Sequence, residues 1–196
     1  MPAHGPTVSP LAIALFNDTG DNAHVGCLAV SEAHRHMLRR AGAHVRHAYF
    51  CCEWHPLGAG GLAEGIDAAL ANDVLRGAFD DVDAVVVNGE GTVHHGYGRH
   101  LIAILGAAQR LGIPTFLVNA VLQDCGDARE VLSSLDDCTV RDGCTSRYLE
   151  TLGVRHRLIP DSFFEAPFVG VPIHDFAGKL VVTDCHPAKG GWTFQK

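Results

Sequence analysis

With 22 acidic side chains against 15 lysines and arginines, this 196-residue chain has a formal net charge of −7, which argues against a basic field for nucleic acid or anionic membranes. Its length suits one domain that needs no disulfide staples, and no apolar run approaches the roughly 20 residues of a membrane span. The seven cysteines are odd in number and irregularly spaced, and the start Met1-Pro2-Ala3-His4-Gly5-Pro6 lacks a basic n-region, so they read as reduced thiols of a cytoplasmic protein.

In chain order, Leu11 to Phe16 (LAIALF) reads as a buried strand, punctuated by Asn17-Asp18-Thr19-Gly20-Asp21-Asn22. A helix running to Arg40 follows, with Val30, Ala33, Met37 and Ala41 at helical spacing and Gly42 as its stop. His44 to Phe50 is a second strand, Leu57 to Gly61 a glycine-rich loop, and Leu62 to Phe79 reads as helical. Asp83 to Asn88 (DAVVVN) is the clearest strand of the chain. Tyr97 to Leu111 then makes a helix closed by Gly112, and Pro114 opens the strand Thr115 to Asn119. Shorter units complete the series: a helix Asp127 to Leu135, a strand Cys138 to Arg141, a helix Thr145 to Leu152 stopped by Gly153, and a strand Arg155 to Ile159.

Continuous apolar strands alternating with helices predict an α/β, Rossmann-like domain, its mostly parallel sheet covered by helices on both faces. That domain spans residues 1–164. Residues 165–178 carry Pro167, Pro172 and two glycines without periodicity and read as a linker. Residues 179–196 open with KLVVT, which reads as the first strand of a second domain that this chain lacks.

The stretch Val87 to Gly96 (VNGEGTVHHG) follows the clearest strand, at the carboxyl end where parallel sheets bind ligands. A phosphate-cradling P-loop needs a Lys after the glycines; none follows here, and Glu90 puts negative charge where phosphate would sit. A dinucleotide fingerprint fits Gly89 and Gly91, but His94 replaces the third glycine and no acid lies between Thr92 and Gln123 to meet a ribose. His94 and His95 are adjacent, and adjacent side chains diverge, so they are not expected to share an ion. The better metal alternative, His47, Cys51, Cys52 and His55, is a single cluster where zinc sites pair two; no metal is expected. The plain alternative for the loop is a strand-to-helix turn in which Gly89 and Gly91 supply positive φ and close packing.

Four stretches, in order, resemble the polysaccharide pyruvyl transferase family. LFNDTGDNAHVGCLAV is similar to its first strand, Gly-Asp loop and helix, and DAVVVNGEGTVHHG to its Asp-hydrophobic strand and glycine-rich loop. TVRDGCTSRYLETLGV resembles its Arg-Asp segment, and LIPDSFF its Pro-Asp-x-x-Phe step. The match runs from about Leu11 to Phe164 and covers the family's N-terminal half. Glu90 departs from it, standing where family loops often carry a third glycine.

The resemblance implies one half of a two-domain GT-B-like architecture, with the active site between the halves. It implies transfer of an enolpyruvyl unit from phosphoenolpyruvate, the donor substrate, to a saccharide acceptor, closing a pyruvate ketal without a further cofactor. Arg141 is then the residue for the donor phosphate or carboxylate, since its planar fork suits oxyanions. Glu90 is the candidate base for a sugar hydroxyl. Asn17, Gly20, Asp21, Asn88, Gly89, Gly91, His94, His95 and Asp142 are the expected substrate contacts. Asp21 has a helix N-cap as its plainer role, and Asp142 an ion pair with Arg141. The proton donor and a further arginine are expected in the absent domain, His186 being a candidate only by its late position, so this chain is expected to hold substrate without turnover. A GT-B half that binds a nucleotide sugar, and a non-catalytic Rossmann-like module, are the alternatives. The enzyme reading needs the turns after the first, third and fifth strands to meet at one rim of the sheet.

Overall fold

The computed structural model describes residues 9–22, 24–50 and 53–167. The predicted 179–196 unit, most of the 165–178 linker, and Cys51, Cys52 and His186 lie outside the described residues. The central feature is a six-stranded sheet in the order β2-β1-β3-β5-β7-β8, with every neighbouring pair parallel. Its strands are β1 (Leu11–Asp18), β2 (Ala43–Phe50), β3 (Ala84–Asn88), β5 (Thr115–Ala120), β7 (Asp137–Val140) and β8 (Arg157–Leu158). A separate parallel ribbon pairs β4 (Val93–His94) with β6 (Leu122–Gln123). The fold is α/β and Rossmann-like.

Strand alternation sorts the core into two clusters. Ala14, Phe16, Val85, Val87 and Leu117 point to one face, where they pack with Leu101, Ile102, Ile104 and Leu105 of α4 (Arg99–Arg110). Residues of α2 (Leu62–Ala71), α3 (Asp73–Phe79), α5 (Arg129–Ser133) and α6 (Gly143–Leu152) join the same cluster. Ile13, Leu15, Ala84 and Val86 point to the other face, toward Leu38 of α1 (Val25–Arg40). Helices therefore lie on both faces, five on one and α1 on the other among the described residues.

The chain winds from β1 through α1 to β2 in one direction and from β3 through α4 to β5 in the other. The reversal falls between β1 and β3, and the crevice outside the carboxyl ends of such strands is where open α/β sheets place ligands.

The helix expected over Asp127 to Leu135 is a 3-10 turn, Gly126–Ala128, followed by α5, and two other helix predictions change as well. The helical stretch expected over Leu62 to Phe79 divides into two helices at Asn72, whose backbone is extended at ψ 117°. Its Oδ1 accepts from the amides of Val74 at 3.0 Å and Leu75 at 3.1 Å, so the side chain caps a new helix instead of continuing the old one. The helix expected from Tyr97 starts at Arg99, because Gly96 and Gly98 take left-handed φ values of 80° and 73°. Gly42 and Gly153, read as helix stops, have φ values of 76° and 70°.

Candidate functional site

Three buried asparagines mark the carboxyl rim. Asn17, Asn88 and Asn119 stand at or next to the ends of β1, β3 and β5, each only 1% exposed. Asn17 Nδ2 donates to the Asn88 carbonyl at 2.5 Å and to Thr92 Oγ1 at 3.3 Å, while Asn88 Nδ2 donates to the Asn17 carbonyl at 3.2 Å. Asn17 and Asn119 both sit at φ 57°, a left-handed turn that asparagine tolerates better than most residues. Strand ladders end here, and side-chain amides take over the pairing of neighbouring strands.

The loop after β3 is held from both sides. Asn88 Nδ2 also donates to Glu90 Oε2 at 3.2 Å, and the Glu90 amide donates to Asn88 Oδ1 at 3.2 Å. The Cys27 thiol, in the first turn of α1, lies 3.8 Å from Glu90 Oε1. Glu90 itself carries the positive φ, 26°, that the sequence assigned to its two glycine neighbours; neither Gly89 nor Gly91 is among the positive-φ residues. Gly89 is needed for space instead. A Cβ there would sit 2.5 Å from Ala120 Cβ and 2.7 Å from Ala120 Cα.

Arg141 follows β7 and reaches this loop: its Nη2 lies 3.7 Å from where a Gly91 Cβ would be. Its Nη1 donates to Asp161 Oδ2 at 2.5 Å, and the two side chains are 24% and 29% exposed. The structure thus brings the turns after β1, β3 and β7 to one rim and places a half-buried guanidinium among them.

The alternative ion pair of Asp142 with Arg141 is not formed among the described residues; Asp142 caps α6, its Oδ1 accepting from the amides of Cys144 and Thr145, each at 2.9 Å. Partial burial pushes its pKa up, but the hydrogen bonds from Thr145 and Cys144, with the Arg141 charge, hold it below the ordinary carboxylate value. Asp21 is exposed and does not cap α1, whose N-cap residue is His24 with no side-chain cap bond. Gly20 packs closely: its amide donates to Asp18 Oδ1 at 3.0 Å, and a Cβ there would meet Ser31 Oγ at 2.7 Å.

His94 and His95 do not diverge. The left-handed φ of 49° at His95 breaks strand alternation and turns the rings together, Nδ1 to Nδ1 at 3.1 Å. His95 Nε2 also lies 3.7 Å from Asp124 Oδ2. His94 ends β4 of the β4–β6 ribbon and His95 follows it, on the carboxyl side of the sheet. Among the described residues no group of three His, Cys, Asp or Glu side chains is placed to hold a metal ion.

Several rim residues escaped the sequence reading. Asp18, 1% exposed, pairs with Arg35 of α1 and accepts from Ser31 Oγ at 2.5 Å, fastening the end of β1 to the helix after it. His34, also on α1, meets Ser162 Oγ at 3.1 Å, and the Ser162 amide donates to Asn119 Oδ1 at 3.1 Å. Burial lowers the His34 pKa to about 4 despite the nearby Asp18 and Asp161 charges, so it is neutral near pH 7. A signal for Asn119 was present: three apolar strands each run into an asparagine, at Asn17, Asn88 and Asn119. Asp161 lay inside the LIPDSFF stretch without being singled out.

No helix of the described chain is long and apolar enough to cross a membrane. No protein-family model matches the chain, and no curated protein matches it. A solved structure of a XylFII–LytSN complex mutant is similar over 68% of this chain and 38% of that one, at 13% identity and a TM-score of 0.39. The chain therefore spans well under half of that neighbour, and a likeness of this depth carries no argument about function.

Proposed function

We propose that this chain is the donor-binding half of a polysaccharide pyruvyl transferase-like enzyme of GT-B-like architecture. On this reading it holds phosphoenolpyruvate at the carboxyl rim for transfer to a sugar hydroxyl. One observation supports it above the others: Arg141 lies against the Gly89–Gly91 loop at the strand reversal, where a guanidinium fork is in reach of a small oxyanion.

In that reaction a proton goes to the methylene carbon, a sugar oxygen attacks the neighbouring carbon, phosphate leaves, and a second hydroxyl closes the ketal. Arg141 would hold phosphate or carboxylate, offsetting charge that builds on the leaving group. Glu90, kept in place by Asn88, would accept the proton of the attacking hydroxyl. The proton donor to carbon is assigned to a partner half and not to these residues.

The test is a melting-temperature series on the full chain. Phosphoenolpyruvate is expected to raise the midpoint in a concentration-dependent way, and Arg141→Gln to abolish the rise. A rise with uridine or guanosine diphosphate and none with phosphoenolpyruvate would instead select a glycosyltransferase half. A response to neither ligand class would leave the non-catalytic module.

A further inference from the structure

The Asp161 carboxylate makes two contacts, and an anion arriving at Arg141 competes for the first of them. Its Oδ2 accepts from Arg141 Nη1 at 2.5 Å, and its Oδ1 accepts from the Phe163 amide at 2.9 Å, capping the turn Ser162–Glu165. One carboxylate therefore joins the rim guanidinium to the turn that packs against α1. The turn is also held by two bonds that do not involve Arg141, from the Ser162 amide to Asn119 and from Ser162 Oγ to His34.

We infer that Asp161 is an internal stand-in for the ligand: an oxyanion seated on Arg141 displaces the Asp161 carboxylate and thereby uncaps the Ser162–Glu165 turn. The contact is autoinhibitory. Asp161 offers Arg141 the same chemistry as a free carboxylate or phosphate, at fixed high local concentration, so an incoming anion competes with it for the fork. Of the nearby acids, Asp142 is committed to the α6 amides and Asp18 to Arg35, Ser31 and Gly20. Asp161 is the carboxylate paired with Arg141 among the described residues.

Release of the cap reaches the turn because the bond from the Phe163 amide to Asp161 Oδ1 is lost, while the Ser162 bonds keep the backbone at the rim. Ligand occupancy is then reported to the Ser162–Glu165 turn without the sheet moving. This inference rests on the reading of Arg141 as the oxyanion residue, but not on the identity of the anion.

The experiment compares wild-type chain, Asp161→Asn and Arg141→Gln. Binding of inorganic phosphate and of phosphoenolpyruvate is measured by calorimetry, and hydrogen exchange of the 161–165 segment is followed with and without phosphate. Asn at 161 keeps the capping oxygen and removes the competing charge. It is expected to bind phosphate about five- to tenfold more tightly than wild type, since the competent fraction of Arg141 rises. In the wild type, saturating phosphate is expected to speed exchange at Phe163, and Arg141→Gln is expected to lose both effects.

Unchanged or weaker phosphate binding by Asp161→Asn overturns the inference, as does phosphate binding to wild type with exchange at Phe163 unaltered. Absence of phosphate binding in both proteins overturns it too. The exchange measurement needs no variant, so a poorly folded Asp161→Asn does not block the test. If phosphate shows the displacement but phosphoenolpyruvate binds no better than phosphate, the autoinhibitory contact stands and the donor assignment fails.

Discussion

Asn17 and Asn88 exchange side-chain-to-carbonyl hydrogen bonds, at 2.5 Å and 3.2 Å, across the ends of β1 and β3. Both residues are buried, so neither bond can be replaced by bulk water when its partner is removed. Asn88→Ala is expected to cost about 2 kcal/mol in urea unfolding, since it strips the Asn17 carbonyl of that donor and frees Glu90. Asn17→Ala should cost a similar amount. The double substitution should cost less than the sum, because the two amides form one unit. Simple additivity would mean that the strand ends are held by something else.

Gly89 and Gly91 separate packing from binding. Gly89→Ala drives a Cβ into the backbone of Ala120, and overpacking of that kind costs about 1–3 kcal/mol. A lowered melting temperature is the expected result. Gly91→Ala meets only Arg141 Nη2, at an ordinary contact distance of 3.7 Å. It should melt within about 0.5 kcal/mol of wild type while weakening anion binding at Arg141. Equal losses of stability in the two variants would contradict the geometry.

His34 sets a pH limb. Its pKa is about 4 in the fold against an ordinary 6.5, so the unfolded chain takes up the proton first as pH falls. The contribution is present in full above pH 6.5, is lost progressively down to pH 4, and stays flat below. The loss amounts to about 3 kcal/mol, from the pKa difference at 1.36 kcal/mol per unit. His34→Gln keeps a polar partner for Ser162 and should flatten this limb when unfolding midpoints at pH 7, 6, 5 and 4 are compared with wild type. An unchanged slope would assign the acid sensitivity to other residues.

The central strands were legible because they are nearly all apolar and bounded by glycine, proline or asparagine: DAVVVN and TFLVN occupy the positions expected of them. Burial on both faces leaves few other ways to place such runs. The break at Asn72 was not legible, since its neighbours keep helical spacing and only the side-chain cap decides between one helix and two. At the rim, sequence reasoning found Glu90, Arg141 and the glycines, whose residue types announce chemistry. It missed the Arg141–Asp161 and Asp18–Arg35 pairs, which join residues whose proximity only the crossovers create. It also misread His94 and His95, because one left-handed residue reverses the alternation on which the expectation rested.

The reversal of winding between β1 and β3 has a bearing on how such a scaffold can diverge. α1 leaves toward one face and α4 toward the other, so the two helices after these strands part at the crevice instead of closing over it. Gly91, exposed in the loop after β3, can be exchanged during evolution without repacking either cluster, since an added Cβ meets only Arg141 Nη2. Gly89, whose neighbours belong to the sheet, has no such freedom, and drift in ligand preference is expected to run through the former position.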